Sequence, residues 1–303
     1  MQRFQNWQFD TLSFFLGLLL GVAVAYGFLR LMPWLRRQFA RITGWVRERI
    51  SYLRSGVVVR FLAETAVYAK NQHLLNQHTT LDALFVSPRL LAPLEDPALL
   101  PEDRGATALT YLWPEWAKGM GLPTPALMTV NQLWQNGRRV IIAGEPGVGK
   151  TSLLAHLALR CATAANGDAK LANNLPVLVH VAELDLSAGD MLEDPESILS
   201  RALQKRANPL TSPGIKDLLH QKLKTGQVVL LLDGWDELPA IKRPTVAEWL
   251  ESLLRKYKQT QTFVAAGLTG HGLLLELAFT WTTLLPWRLG EVEAFAAQAT
   301  QTL

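Results

Sequence analysis

The chain has 303 residues, of which 49% are hydrophobic and 18% charged, and its net charge is +4 at pH 7. This length allows one large or two small domains with a buried core, and the single cysteine, Cys161, excludes an internal disulfide framework. The positive charge is concentrated in residues 30–60, which carry eight arginines and one acidic residue, Glu48. The rest of the chain is slightly acidic, so we expect no nucleic-acid partner.

An uncharged, mostly apolar segment precedes these arginines. Residues 11–29 carry no charge, and such a run can cross a hydrocarbon core of ~30 Å as a helix that rises ~1.5 Å per residue. We therefore predict a transmembrane helix over residues 11–31, after a short extracytoplasmic N-terminus at residues 1–10. A buried core helix and a cleaved signal peptide are the alternatives, although the cleavage-site pattern at residues 23–25 lies inside the apolar run.

The flanking charges predict the orientation of this span. Arg3 lies on one side and the eight arginines lie on the other, and arginine-rich flanks stay in the cytoplasm. We expect a single-pass protein of the cell membrane in which the main domain after the span lies in the cytoplasm. Residues 32–87 are predicted to be a basic, helical juxtamembrane region that begins with an amphipathic helix. Its arginines attract anionic lipid headgroups, and packing of its apolar stripe on the following domain is the alternative.

Two glycines within the predicted span have the spacing of a helix-association motif. Gly17 and Gly21 lie on one face of the helix, where small residues let two membrane helices approach closely. This spacing predicts a homo-oligomer, and the general abundance of glycine in membrane helices is the alternative explanation.

Proline is dense in the middle of the chain. Seven prolines fall between Pro88 and Pro125, and proline at this density interrupts helices and strands. We predict a linker or wrapping segment over residues 88–130 and the main domain over residues 131–303.

A glycine-rich turn follows a short β-branched strand at Val140–Ile142 and leads into a helix that starts near Lys150. The turn satisfies the pattern G-x-x-x-x-G-K-[ST] of a phosphate loop. Its glycines let successive backbone N–H groups turn inward and form a site for an anion, at the positive end of the helix. The residues expected to bind the nucleotide are Gly144, Glu145, Pro146, Gly147, Val148, Gly149, Lys150, Thr151 and Ser152.

Two side chains of this loop have specific expected roles. The Lys150 ammonium reaches the β- and γ-phosphates as a point charge and assists catalysis. The Thr151 hydroxyl is a ligand for Mg²⁺, which accompanies the nucleotide.

Three acidic residues follow the apolar run Val228–Leu232, which we predict to be a buried parallel strand. The carboxyl ends of parallel strands meet at one edge of a sheet, so Asp233 should lie near the phosphate loop and bind Mg²⁺ together with Thr151. Asp236 and Glu237 would lie beyond the γ-phosphate. We favour Glu237 as the general base, with Asp236 as its partner or an outer metal ligand.

These two motifs, "IIAGEPGVGKTSLL" and "VVLLLDGWDEL", resemble those of the NACHT family of signal-transduction NTPases. Weaker similarity extends to residues 81–90, 175–185 and 284–299. The resemblance implies an α/β P-loop NTPase with a five-stranded parallel sheet and helices on both faces. It also implies ATP, with GTP less favoured, as the nucleotide, and a switch role in signalling or assembly.

The sequence departs from the family pattern at two places. In the family, the fourth strand ends in a Ser/Thr-Arg pair that senses the γ-phosphate, whereas residues 263–270 contain no arginine. Thr269 and Arg288 are the candidate substitutes, and slow turnover is the expected consequence. The family also continues into helical and winged-helix modules, and this sequence ends at Leu303. A fragment, a lid from another chain and a minimal form are the three interpretations.

Three function classes follow. The first is a membrane-tethered P-loop NTPase that binds Mg-ATP, hydrolyses it slowly and signals to an unknown protein partner. The second is a nucleotide-binding scaffold, or half of a split switch, without useful hydrolysis. The third is a motor or transporter ATPase, which the lack of an LSGGQ-like signature disfavours.

Overall fold

The computed structural model of the chain describes residues 18–19, 56–73, 75–76, 78–92, 119–121, 126–135, 137–163, 173–186 and 194–302. Apart from the helical residues 18–19, these all belong to one folding unit, Gly56–Leu303. The Gly17/Gly21 pair, the rest of the predicted transmembrane helix, the amphipathic helix within residues 32–55 and most of the linker lie outside the described residues. Among the helices that are described, none has the length and apolar character needed to cross a membrane.

A mixed sheet of seven strands forms the centre of this unit. The strands are β1 (Leu90–Leu91), β2 (Leu127–Met128), β3 (Arg139–Ala143), β4 (Leu175–His180), β5 (Val228–Asp233), β6 (Gln261–Ala266) and β7 (Thr280–Leu284). Their order across the sheet is β2-β1-β7-β3-β6-β5-β4. The strands from β7 to β4 in this order run parallel, so the carboxyl ends of β3, β4, β5 and β6 lie at one edge.

The expected five-stranded sheet corresponds to the parallel part, and the predicted strand count was too low. The two additional strands, β1 and β2, are two residues long and pair antiparallel at the β7 side. Both lie in or next to the proline-rich segment, where the sequence predicted a linker. A two-residue strand has no readable alternation of apolar and polar residues, and its pairing comes from contacts distant in sequence.

Nine described helices surround the sheet. They are α1 (Val57–Lys70), α2 (Leu81–Leu84), α3 (Val130–Gln135), α4 (Lys150–Thr163), α5 (Pro195–Arg206), α6 (Ile215–Lys224), α7 (Arg243–Lys256), α8 (Gly272–Glu276) and α9 (Leu289–Thr302). Alternate residues of the buried strands contribute to two separate cores, as β5 illustrates. Leu230 and Leu232 pack against the α5–α7 side, whereas Val229 and Leu231 pack against α4. Helices therefore cover both faces, as the sequence predicted.

The region between residues 61 and 87 is helical only in part. Helix α1 ends at Lys70, and Asn71 begins a turn before the single helical turn α2. Within the helical region predicted over residues 32–87, the described residues thus form two separate helices, α1 and α2. Phe61 and Ala69 of α1 are buried in the cores of the NTPase unit, so this helix is part of its packing.

Candidate functional site

The phosphate loop connects the central strand β3 to helix α4. Its glycines at positions 147 and 149 have φ angles of 81° and 97°, which residues with a side chain rarely adopt. A Cβ atom at Gly144 would lie 2.8 Å from the Val148 side chain and 3.2 Å from the Leu284 carbonyl oxygen. The loop conformation thus depends on glycine at three places, which explains the spacing found in the sequence.

The Lys150 side chain lies inside this loop. Its ammonium donates hydrogen bonds to the carbonyl oxygens of Gly144 and Glu145, each at 3.0 Å. It also forms an ion pair with Asp236, with 3.2 Å between Nζ and Oδ2. Only 9% of the side chain is exposed, so these oxygen atoms compensate a nearly buried positive charge.

Asp233 ends β5, the strand beside the edge strand β4, and is buried in the cavity that Lys150 and Thr151 also line. Burial raises the pKa of Asp233 above its usual value, and a hydrogen bond from the Thr151 side chain opposes this rise. A hydrogen bond from the Gly234 amide opposes it too. Both side chains line the same cavity, so their oxygen atoms are available to one ion there.

This pair fits a magnesium site. Magnesium retains several waters and takes one or two protein oxygen atoms together with the phosphates of its nucleotide. Within the residues that the structure describes, no group of three or more His, Cys, Asp and Glu side chains is arranged to hold a metal ion. A divalent cation bound by Thr151 and Asp233 would therefore depend on phosphate oxygens and water for its other ligands.

The two acidic residues after Asp233 point in different directions. Both lie in the 3₁₀ turn Trp235–Glu237, which Gly234 opens with a φ angle of 81°. The Asp236 side chain, 26% exposed, faces Lys150. The Glu237 side chain is 71% exposed, and its Oε2 lies 3.3 Å from the Nε2 atom of His180.

A backbone contact defines the tautomer of this histidine. The Ala182 amide donates a hydrogen bond to Nδ1 of His180 at 3.2 Å, so Nδ1 is an acceptor and carries no proton. The neutral imidazole then carries its proton on Nε2, which donates toward the Glu237 carboxylate. Glu237 is thereby directed toward the end of β4, on the side of the site away from Lys150.

The structure brings nearly all of the sequence-predicted residues to one cavity of about 830 Å³. Val148 is the exception, since its side chain lines a neighbouring cavity. Of the candidate substitutes for the missing arginine, Thr269 lines the 830 Å³ cavity and Arg288 does not. The predicted residues that line it are Gly144, Glu145, Pro146, Gly147, Gly149, Lys150, Thr151, Ser152, Asp233, Asp236 and Glu237.

The sequence analysis missed one charged residue of this cavity. Arg243, the first residue of α7, lines it together with Gly267 and Leu268 after β6. One sequence signal pointed to Arg243. Acidic residues are favoured in the first turn of a helix, so a cation there is unusual. The residue was passed over because it belongs to neither motif.

A second cavity of about 430 Å³ adjoins the phosphate loop and is mostly apolar. Phe85 and Trp287 contribute aromatic rings, and Arg89 joins the two segments through an ion pair with Glu291 at 3.1 Å. His156 stacks on Phe85 with 3.5 Å between ring centroids, and burial lowers the pKa of His156 to about 4. The stretches around residues 81–90 and 284–299, which showed weak family similarity, therefore meet at this cavity.

The phosphate loop at the carboxyl edge of a mostly parallel sheet, with a buried aspartate at the end of β5, one strand removed from β3, defines a P-loop NTPase of the α/β class. A comparison with family models assigns residues 138–296 to the NACHT domain. Because this match covers more than half of the chain, the protein belongs to the NACHT family of P-loop NTPases. NACHT domains bind nucleotide, typically together with Mg²⁺. No curated protein matches the sequence.

Asp233→Asn is expected to stabilise the unit Gly56–Leu303 at neutral pH when neither magnesium nor nucleotide is present. Burial raises the pKa of Asp233, so folding disfavours its carboxylate. This cost is absent below the pKa of the unfolded chain and develops as pH rises through the folded-state pKa. Urea unfolding at mildly acidic and at neutral pH measures the difference, which should grow with pH.

The matched control is Asp217→Asn on α6, where the aspartate is exposed and its substitution should not reproduce the stabilisation expected of Asp233→Asn. With Mg-ATP added, the wild type should become more stable than Asp233→Asn. Ligand binding stabilises the wild type, whereas Asp233→Asn has lost a metal ligand. Equal stabilisation of the wild type and Asp233→Asn by Mg-ATP would contradict the assignment of Asp233 as a metal ligand.

Proposed function

We propose that this protein is a membrane-tethered NACHT ATPase that binds Mg-ATP and hydrolyses it slowly, as a switch for signalling or assembly. The observation that carries the proposal is the meeting of Lys150, Asp236, Thr151 and Asp233 in one cavity at the carboxyl edge of the sheet. A cation, a hydroxyl and carboxylates around a ring of backbone N–H groups match the needs of a magnesium-bound triphosphate.

Nucleotide binding would use the phosphate loop and the pair at its end. The backbone around Gly147 and Gly149 presents N–H groups to the phosphates, and Lys150 supplies the positive charge. Thr151 and Asp233 would hold Mg²⁺, which would supply positive charge beside the phosphates and so reduce the charge against which a nucleophile must approach. To reach the nucleotide, the Lys150 ammonium exchanges its contacts with two carbonyl oxygens for contacts with phosphate.

Hydrolysis requires a base for the attacking water, and the contacts of the two acidic residues favour Glu237. The Asp236 carboxylate is engaged by an ammonium group, so it is suited to position Lys150. Within the described part of the chain, Glu237 accepts from the N–H of the neutral His180 imidazole and is largely exposed, so its electron pairs stay available for a proton. A positioned general base contributes roughly 10²- to 10⁴-fold to a rate.

The character of the second cavity favours ATP over GTP. Phe85, Trp287, Leu81 and Pro286 offer apolar and aromatic surface for a base beside the phosphate loop. Guanine carries a carbonyl group and an exocyclic amino group that would each require a hydrogen-bond partner, and a buried polar group without a partner is costly. Adenine presents fewer such groups, so it fits a lining of this kind at a smaller cost.

The membrane tether is proposed from the sequence. Residues 11–31 have the length and apolar character of a span, and the arginines that follow favour a cytoplasmic NTPase domain and contact with anionic lipids. Gly17 and Gly21 would bring two such helices together, so that nucleotide state and self-association act on one another. A protein partner would then receive or supply the signal.

A nucleotide-binding scaffold without useful hydrolysis is the second candidate. It is favoured by the lack of arginine in residues 263–270 and by the large exposure of Glu237. Both candidates require the same binding site and differ only in turnover, so a single experiment separates them.

Glu237→Gln is expected to lower ATP turnover at least ~100-fold while leaving ATP affinity unchanged, because it removes the proton acceptor and keeps the shape of the side chain. Lys150→Ala should weaken ATP binding, because it removes the charge that contacts the phosphates. Phosphate release and binding of a fluorescent ATP analogue measure the two quantities. Glu248→Gln, at an exposed position of α7, is the matched control and should change neither.

Equal, near-background turnover of the wild type and Glu237→Gln would favour the scaffold. Unchanged ATP affinity of Lys150→Ala would count against both candidates. Normal turnover of Glu237→Gln together with loss of turnover in Asp236→Asn would show that Asp236, and not Glu237, is the general base.

Protease digestion of inverted membrane vesicles tests the tether. The NTPase domain should be digested from the outside of these vesicles, because their cytoplasmic face points outward. A tag before residue 11 should be protected until detergent is added. Protection of the NTPase domain would reverse the proposed orientation, and loss of the domain from washed membranes would contradict the tether itself.

A further inference from the structure

Arg243 is a cation that lines the phosphate cavity and has no assigned role. It begins helix α7 and shares the cavity with Lys150, Asp236, Gly267 and Thr269. These residues come from the phosphate loop, from the turn after β5 and from the loop after β6. The guanidinium therefore lies where three strand ends converge.

The contacts of Arg243 position its guanidinium group without neutralising it. Its Nε atom donates to the Leu238 carbonyl oxygen at 3.2 Å, and one terminal nitrogen lies 3.5 Å from the Asp236 carbonyl oxygen. Among the described residues, no carboxylate forms an ion pair with it. Arginine has five N–H donors and keeps its charge at any physiological pH, so donors remain for a ligand in the cavity.

The loop after β6 is shaped around this side chain. Gly270 has a φ angle of 80°, and a Cβ atom at that position would overlap the other terminal nitrogen of Arg243. The indole N–H of the buried Trp235 donates to the Gly270 carbonyl oxygen at 3.0 Å, which holds this loop against the acidic turn. The close approach of loop and guanidinium thus depends on glycine.

The position of Arg243 is unfavourable for the helix itself. The N-terminus of a helix carries a partial positive charge, and the first turn of α7 contains no acidic residue to offset the arginine. Residues that break a local rule without a local compensation are often functional. An anion in the cavity would supply the missing compensation.

From these observations we propose that Arg243 binds the γ-phosphate of ATP in cis and stabilises the charge that develops during hydrolysis. This inference rests on the proposed function and deepens it. Water attacks the γ-phosphorus and the bond to the β-phosphate oxygen breaks, which yields ADP and phosphate, and Glu237 takes the proton of the water. Arg243 transfers no proton and acts through its charge and its planar N–H donors.

The same contact gives the chain a way to distinguish ATP from ADP. Arg243 is covalently part of α7, which packs through Val246, Leu250 and Leu253 into the core. Arg243 engages the terminal phosphoryl group only while that group is present, so hydrolysis releases it from the nucleotide. Helix α7 is then the element that responds to the state of the nucleotide.

The test compares the affinities of Arg243→Ala for ATP and for ADP, measured on the full-length chain in detergent. ATP binding should weaken about tenfold or more, whereas ADP binding should stay the same, because only ATP carries the contacted group. Turnover should fall at least ~100-fold. Arg243→Lys should retain part of the ATP affinity and stay slow, since lysine keeps the charge but lacks the planar fork.

Arg255→Ala, at an exposed position of the same helix, is the matched control and should behave as the wild type. A merely structural role of Arg243 would weaken ATP and ADP binding equally, or leave both unchanged, and either result would overturn the proposal. Because the ratio of the two affinities needs no turnover, it tests Arg243 even in a slow enzyme. Absence of nucleotide binding in the wild type would instead refute the proposed function.

Discussion

The site depends on one buried carboxylate at the end of strand β5. Burial disfavours the ionised form of Asp233, and the hydrogen bond from Thr151 and the amide of Gly234 offset this cost only in part. A divalent cation would compensate the remaining cost, since it would pair with the carboxylate and take the Thr151 oxygen as a further ligand. The fold maintains this costly group because parallel strands bring it to the edge at which the phosphate loop begins.

The acidic turn, Gly234–Glu237, connects this carboxylate to the neighbouring strand ends. Asp236 pairs with Lys150 after β3, and Glu237 pairs with His180 at the end of β4. The indole of Trp235 donates to Gly270 beyond β6. This turn therefore contacts residues at or beyond the ends of β3, β4 and β6. A change at the phosphates can be transmitted through the turn to each of these segments. Arg243, which donates to Leu238 just after the turn, extends this set to helix α7.

The sequence alone predicted those parts of the site that depend on local pattern. The phosphate loop is recognisable by its glycine spacing, and the strand Val228–Asp233 by its continuous apolar run. Both patterns consist of residues that are close together in the sequence. Other features depend on partners that are distant in the chain. Leu90 pairs with Leu284 in an added strand, and Phe85 meets Trp287 at the apolar cavity. Arg243 was missed for the same reason, because only the folded chain brings it to the phosphate loop.

The most direct test of this account is the position of the metal ion in crystals grown with Mn²⁺ and a non-hydrolysable ATP analogue. Anomalous scattering from Mn²⁺ locates the ion without reference to the rest of the structure. The account predicts one peak between the Thr151 hydroxyl and the Asp233 carboxylate, with the Thr151 oxygen at a ligand distance of ~2.1 Å and Asp233 bound directly or through one water. A nucleotide bound with its metal ion away from both side chains, or no nucleotide at the phosphate loop, would contradict it.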